Sequence, residues 1–166
     1  AELGLTALTV PEEHGGLGMN AVDFVLLAQE CGYVALPEPL VNHALVAVPL
    51  LQDLGGELAA RWLPLAATGE VVEDAHVADL LLLERDGQWY ALEQGQFSCE
   101  RNESVDPGRR LFSVAVPAGA TAVASGAQAG SLRSATLNRG ALGCAAQALG
   151  LAQRMIDLSV QYTADR

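Results

Sequence analysis

The period of the apolar positions changes twice along the chain. From Asn20 to about Thr68 they recur at helical spacing, with Val22, Val25 and Leu26 on one face and Gln29 and Glu30 on the other. Asn20 followed by Asp23 reads as an N-cap with a near capping box. "LPEPL" (Leu36 to Leu40) ends that helix, because each proline restricts the residue before it. A second helix is expected over Asn42 to Leu54, stopping at Gly55-Gly56, and a third over Glu57 to Ala67 with Trp62 in the core.

From about Val77 to Val123 the period becomes two. "HVADLLLLERDGQWYALE" holds two strand-like runs around Arg85-Asp86-Gly87, a hairpin signal that puts Trp89 in a core and Tyr90 on a strand face. "QFSCE" and "RLFSVAVPAG" supply further strands, and Gly119, Gly126 and Gly130 read as a punctuated loop. From about Ser134 the helical period returns. Leu142, Ala145, Leu149, Ala152 and Ile156 form one stripe of a helix longer than 25 residues, while Gly140, Gly143 and Gly150 would permit close approach of another helix. The fold class expected is α+β: a helical N-terminal domain (1–70), a small barrel-like middle β domain (71–130) and the first long helix of a C-terminal four-helix bundle (131–166).

Composition narrows the partners. The net charge is −11 and all nine basic residues are arginine, without a cluster, which argues against nucleic acid or an anionic membrane. No apolar run approaches the ~18 residues that span a bilayer. A mean hydropathy of +0.25 leaves apolar surface for a large core or a partner. Cys31, Cys99 and Cys144 are isolated and odd in number, as expected of reduced thiols in the cytoplasm. Ala1 to Leu5 reads as the tail of a helix, and "LSVQYTADR" carries no stop signal, so the chain is expected to be a piece of a longer polypeptide.

The segment "TVPEEHGGLGMNAVD" gathers acidic residues, a histidine and glycines. Glu12, Glu13 and His14 are consecutive and lack an H-E-x-x-H spacing, which counts against a metal site. "GGLG" lacks the lysine and the strand context of a phosphate loop. A Pro/Gly turn before the Asn20 cap remains. His14, His43 and His76 are widely spaced and expected in surface or capping roles; Asp106 and Arg109 are expected to form a structural ion pair.

The same turn resembles the acyl-CoA dehydrogenase family, in which a G, six residues, then P-E-E-x-G-G-x-G joins two N-terminal helices. "GLAQRMIDLSVQYTADR", Gly150 to Arg166, is similar to that family's first long C-terminal helix, G-x-A-x-x-A/M-x-x-x-A/S-x-x-Y-x-x-x-R. "ALPEPL" resembles a branch of smaller bacterial members, some of which act as paired subunits on bulky acyl groups such as steroid side chains. The resemblance implies an FAD-dependent α,β-dehydrogenation of an acyl-CoA, with electrons passed to an electron-transfer flavoprotein, in homo- or hetero-dimers or tetramers. It assigns Arg166 to the FAD pyrophosphate, commonly that of a neighbouring subunit.

The family's catalytic glutamate lies either later in the bundle or near the start of the long helix. Counting 26 residues back from Arg166 reaches Gly140, and no Asp or Glu occurs between Asp106 and Asp157. Either the base lies beyond Arg166, or the chain is a non-catalytic subunit that stabilises a catalytic partner. The family's L-T-E-P-x-A-G-S-D strand and its W-x-T/S flavin-edge motif are both absent, so either an interruption between Ala67 and Val77 or a reduced β domain is expected.

Overall fold

The computed structural model describes residues 4–60, 66–69, 71–106 and 108–166. Helix α1 (Ala21–Tyr33) begins where the cap was expected: Asn20 Oδ1 accepts from the Val22 and Asp23 amides, and Asp23 returns the bond to the Asn20 amide at 2.9 Å. Before it, Pro11 to Gly18 forms the turn, with Gly15 and Gly18 at positive φ. Leu5–Ala7 is one 3₁₀ turn, and the rest of the expected helix tail lies outside the described residues.

The second helix has two halves. Val41–Ala47 is π-helical and Val48–Leu54 (α2) is α-helical. Pro49 has no N–H to give to Leu45, four residues back, and the Val48 amide reaches His43 O, five residues back. This stretch packs among α2, the first strand and the last helix, so His43 is buried, correcting its expected surface role. The third helix is also corrected: α3 is only Gly56–Ala59, and Ala66–Thr68 is strand β1, because pairing with a distant leucine strand overrides the helical propensity of the alanines. Trp62 lies outside the described residues, as does Glu70, the centre of the expected interruption.

Two sheets follow. Sheet A has the order β1, β3 (Leu80–Arg85), β4 (Gln88–Glu93) and β7 (Ala124–Ser125). Sheet B has the order β2 (Val71–Glu73), β6 (Leu111–Val114) and β5 (Cys99–Asn102). The pairing of β1 with β3 is parallel, and the other pairings are antiparallel. The four leucines of β3 explain the layering. Leu80 and Leu82 join a core with α2 and the last helix, while Leu81 and Leu83 join the core between the sheets. Trp89 is buried in the first core and Tyr90 packs beside the second, as expected.

Helix α4 runs from Gly126 to Ala164, 39 residues. Its start corrects the expected loop: Gly126 and Gly130 lie within it, because Ala129 and Leu132 bury against the first core and outweigh the glycines' cost. The glycine face behaves in part as anticipated: Gly143 and Gly150 are closely approached, whereas Gly140 has open space beside it. Gly143, Ala146 and Gly150 are buried, and Gly32 of α1 meets the α4 backbone at Gln147 while Gly150 meets the α1 backbone at Gln29. The large stripe of Leu142, Leu149 and Ile156 stays exposed. Tyr33 closes the crossing, its hydroxyl donating to Asp157 Oδ2 at 2.9 Å with the Arg154 guanidinium over its ring. Among the described residues, no helix is long and apolar enough to cross a membrane.

Candidate functional site

A cleft of about 910 Å³ opens between sheet A and the first half of α4. The β3–β4 hairpin forms one wall with Glu84, Asp86 and Trp89; α4 forms the other with Arg133, Leu137 and Gly140. Asn42 and Val46, one turn apart on the π-helical stretch, reach it from a third side, and Thr68, Gly69 and Val71 make its corner.

The walls are fixed by hydrogen bonds. The Trp89 indole N–H donates to Ala129 O at 3.2 Å, pinning α4 to the hairpin. Arg85 donates to Glu84 O at 2.7 Å and to Val114 O at 3.3 Å, joining the hairpin to sheet B. Asp53 and Arg139, 2.6 Å apart, tie α2 to α4. Across the cleft, Arg133 Nη1 lies 3.8 Å from Glu84 Oε2, a loose and largely solvated pair. The lining thus carries two carboxylates, Glu84 and Asp86, against two guanidiniums, Arg85 and Arg133. Val46, Trp89, Val114 and Leu137 add apolar surface, which suits a ligand with an apolar body and polar groups at its rim.

The residues singled out in the sequence are scattered. Gly140 lines the cleft, with open space where a side chain would begin. Arg166 lies at the far end of α4, outside the cleft lining, exposed, with its guanidinium 4.8 Å from the Tyr162 ring centroid. Asp106 and Arg109 do not pair through their side chains. Asp106 accepts from the Gly108 amide, whereas Arg109 Nε lies 3.4 Å from Glu73 Oε1; the arginine staples the loop to β2 because β2 and β6 are neighbours. Beside it, Arg110 Nε lies 2.7 Å from the nearly buried Asp74 Oδ1. His76 stacks on Phe112, with centroids 4.8 Å apart, and His14 sits 3.9 Å from Glu13 in a 3₁₀ turn. Among the described residues, no group of three His, Cys, Asp or Glu side chains is placed to hold a metal ion. Burial pushes the Cys31 thiol above its ordinary pKa, with a smaller upward push from Glu30; Cys144 is exposed. Asn42, Arg133 and Glu84 had no signal in the sequence, because only the fold brings them to one cleft.

With this geometry in place, comparison with known proteins is informative. Residues 1–70 match the family described as "Acyl-CoA dehydrogenase, N-terminal domain". The chain is 31% identical, over 171 aligned residues, to acyl-CoA dehydrogenase IpdE2 of Mycolicibacterium smegmatis, covering 99% of this chain and 52% of that protein. The chain spans about half the length of the curated relatives it matches first. In fold it is similar to a chain of the ChsE4–ChsE5 complex of Mycobacterium tuberculosis (TM-score 0.80, 16% identity, 99% of this chain and 56% of that one). It is also similar to the Tcur3481–Tcur3483 steroid ACAD (TM-score 0.78, 20% identity, 99% and 56%).

Proposed function

We propose, from the match of residues 1–70 to the acyl-CoA dehydrogenase N-terminal domain and the 31% identity to a relative of that name, that this chain is a member of the acyl-CoA dehydrogenase family and takes part in FAD-dependent α,β-dehydrogenation of an acyl-CoA thioester to the 2-enoyl-CoA. The observation that carries the reading is the cleft between sheet A and α4. Its residues fit a flavin: Val46 and Trp89 offer apolar surface for a planar ring, and Arg133 lines the same cleft for a phosphate. When bound, the flavin would accept the hydride that leaves the β-carbon. The chain's own part is to enclose and orient. The Trp89–Ala129 bond ties the two walls together. Arg166 is assigned to the pyrophosphate of an FAD held by a neighbouring subunit, since a guanidinium offers two parallel donors to phosphate oxygens.

Removal of the α-proton needs a carboxylate base. The cleft wall of α4 presents Gly140 instead, and the first acidic residue on α4 is Asp157. In the family the base lies on this long helix or later in the bundle, and on that pattern it is assigned beyond Arg166. The reading includes three regions (1–70, 71–130 and 131–166), a cytoplasmic setting, an electron-transfer flavoprotein as electron acceptor, and a homo- or hetero-oligomer of two or four chains. Bulky acyl groups, such as steroid side chains, are the substrate class. A second reading, a non-catalytic subunit that completes a partner's site, is favoured by the same Gly140.

The decisive measurement is flavin absorbance of the purified full-length protein, followed anaerobically on addition of acyl-CoA. A yellow protein bleached by substrate supports the first reading. A colourless protein, active only with a second chain, selects the second. Under the first reading Arg166→Ala is expected to lose flavin on dialysis with its helical circular dichroism unchanged; full retention would remove Arg166 from the cofactor site.

A further inference from the structure

At one corner of the cleft, at Thr68 and Gly69, the backbone turns, and the Asn42 side chain holds it from the outer side of the sheet. β1 is the edge strand of sheet A, so the peptide groups that face away from β3 have no strand to pair with. At Thr68 a side chain takes the strand's place. Asn42 Nδ2 donates to Thr68 O at 3.2 Å, and the Thr68 amide donates to Asn42 Oδ1 at 3.4 Å. A primary amide offers one donor and one acceptor on the same edge, which matches the C=O and N–H that one strand residue turns to the same side. The Thr68 hydroxyl faces the other way, donating to Leu82 O at 2.6 Å inside the sheet. Thr68 is thus fixed from both sides. Gly69 then turns the chain at φ 146°, where a Cβ would stand 3.0 Å from Val71 O.

The π-helical stretch bears on the same contact. Its wider turn, set by Pro49, carries Asn42 and Val46 to the cleft and His43 to the interior. π-Helical segments occur disproportionately at functional sites, and this one meets the cleft at that corner.

The geometry points to Asn42 as a positioning residue. It holds the Thr68–Gly69 backbone in place at the cleft's corner, and so sets the fit of the ligand bound there. This rests on the reading of the cleft given above, and the two are separable by experiment. Asn42 touches no reacting atom; it acts through Thr68.

The test compares full-length wild type with Asn42→Ala, Asn42→Asp (the same shape without the donated bond, read alone if the alanine variant does not fold) and Asn20→Ala. Asn20→Ala removes a helix cap remote from the cleft. Two quantities are read: amide hydrogen exchange over residues 66–69, and FAD affinity from quenching of its fluorescence. With one or two hydrogen bonds lost, Asn42→Ala is expected to raise exchange at Thr68 about tenfold and to weaken FAD binding about tenfold. Asn20→Ala is expected to change neither. Unchanged exchange in both Asn42 variants overturns the clamp, and faster exchange with unchanged affinity overturns its positioning role. Equal loss of affinity in Asn20→Ala reduces the effect to general stability and also overturns it. If wild type binds no FAD, the reading of the cleft falls and the role toward a ligand falls with it; the exchange measurement alone still decides whether Asn42 holds the corner.

Discussion

At the scale of single residues, glycines in α4 separate into two kinds that look alike in the sequence. Gly150 has the α1 backbone at Gln29 where its Cβ would go, whereas Gly140 faces open space. Gly150→Ala is expected to destabilise the protein by about 1–3 kcal/mol, as overpacking does, and Gly140→Ala to stabilise it by up to about 1 kcal/mol through helix propensity. Urea unfolding of the two variants reads both signs, and equal effects would dissolve the distinction. The cysteines also divide. Burial raises the Cys31 pKa and shields its sulfur from reagents, whereas Cys144 is exposed. Alkylation in the native state is expected to label Cys144 first, checked by mass spectrometry of the digest. The thermodynamic sign follows: a raised thiol pKa contributes stability that is present at neutral pH and is lost as pH climbs past the ordinary cysteine value.

Among whole elements, legibility followed sequence distance. The α1 cap was readable because Asn20 and Asp23 are three residues apart, and Asn20→Ala is expected to cost about 1 kcal/mol. Thermal melting checks it, and an unchanged midpoint would mean the box is idle. β1 was misread as helix because nothing local marks "AAT" as a strand; Leu80 to Leu82, fourteen residues on, decides it. The start of α4 was misread for a similar reason: Gly126 and Gly130 look like a loop until Ala129 and Leu132 meet a core made of the π-helical stretch, α2, β3, β4 and β7. The cleft was less legible still. Gly140 was reached by counting along a known pattern, but Asn42 and Thr68 are 26 residues apart and no periodicity links them.

For the molecule as a whole, the large apolar side chains of α4 point outward from Leu151 onward, where Leu151, Met155, Leu158 and Val160 are all exposed. A helix apolar on several faces is usually covered by other helices. Replacing Leu151, Met155 and Leu158 together by Glu is expected to turn an oligomer into single chains while leaving the circular dichroism intact. Sedimentation velocity reads the outcome, and an assembly unchanged in size would show that α4 is not its seam. The arrangement of sheet A also has a consequence for synthesis. The hairpin of β3 and β4 closes locally, but its two neighbours come from opposite ends of the β region, β1 before it and β7 just ahead of α4. Ala47, Leu50 and Leu51, made early, share their core with Ala124, Ala129 and Leu132, made late. On the ribosome these early residues stay without their full cover until the start of α4 has emerged, and through that interval they present apolar surface to holding chaperones.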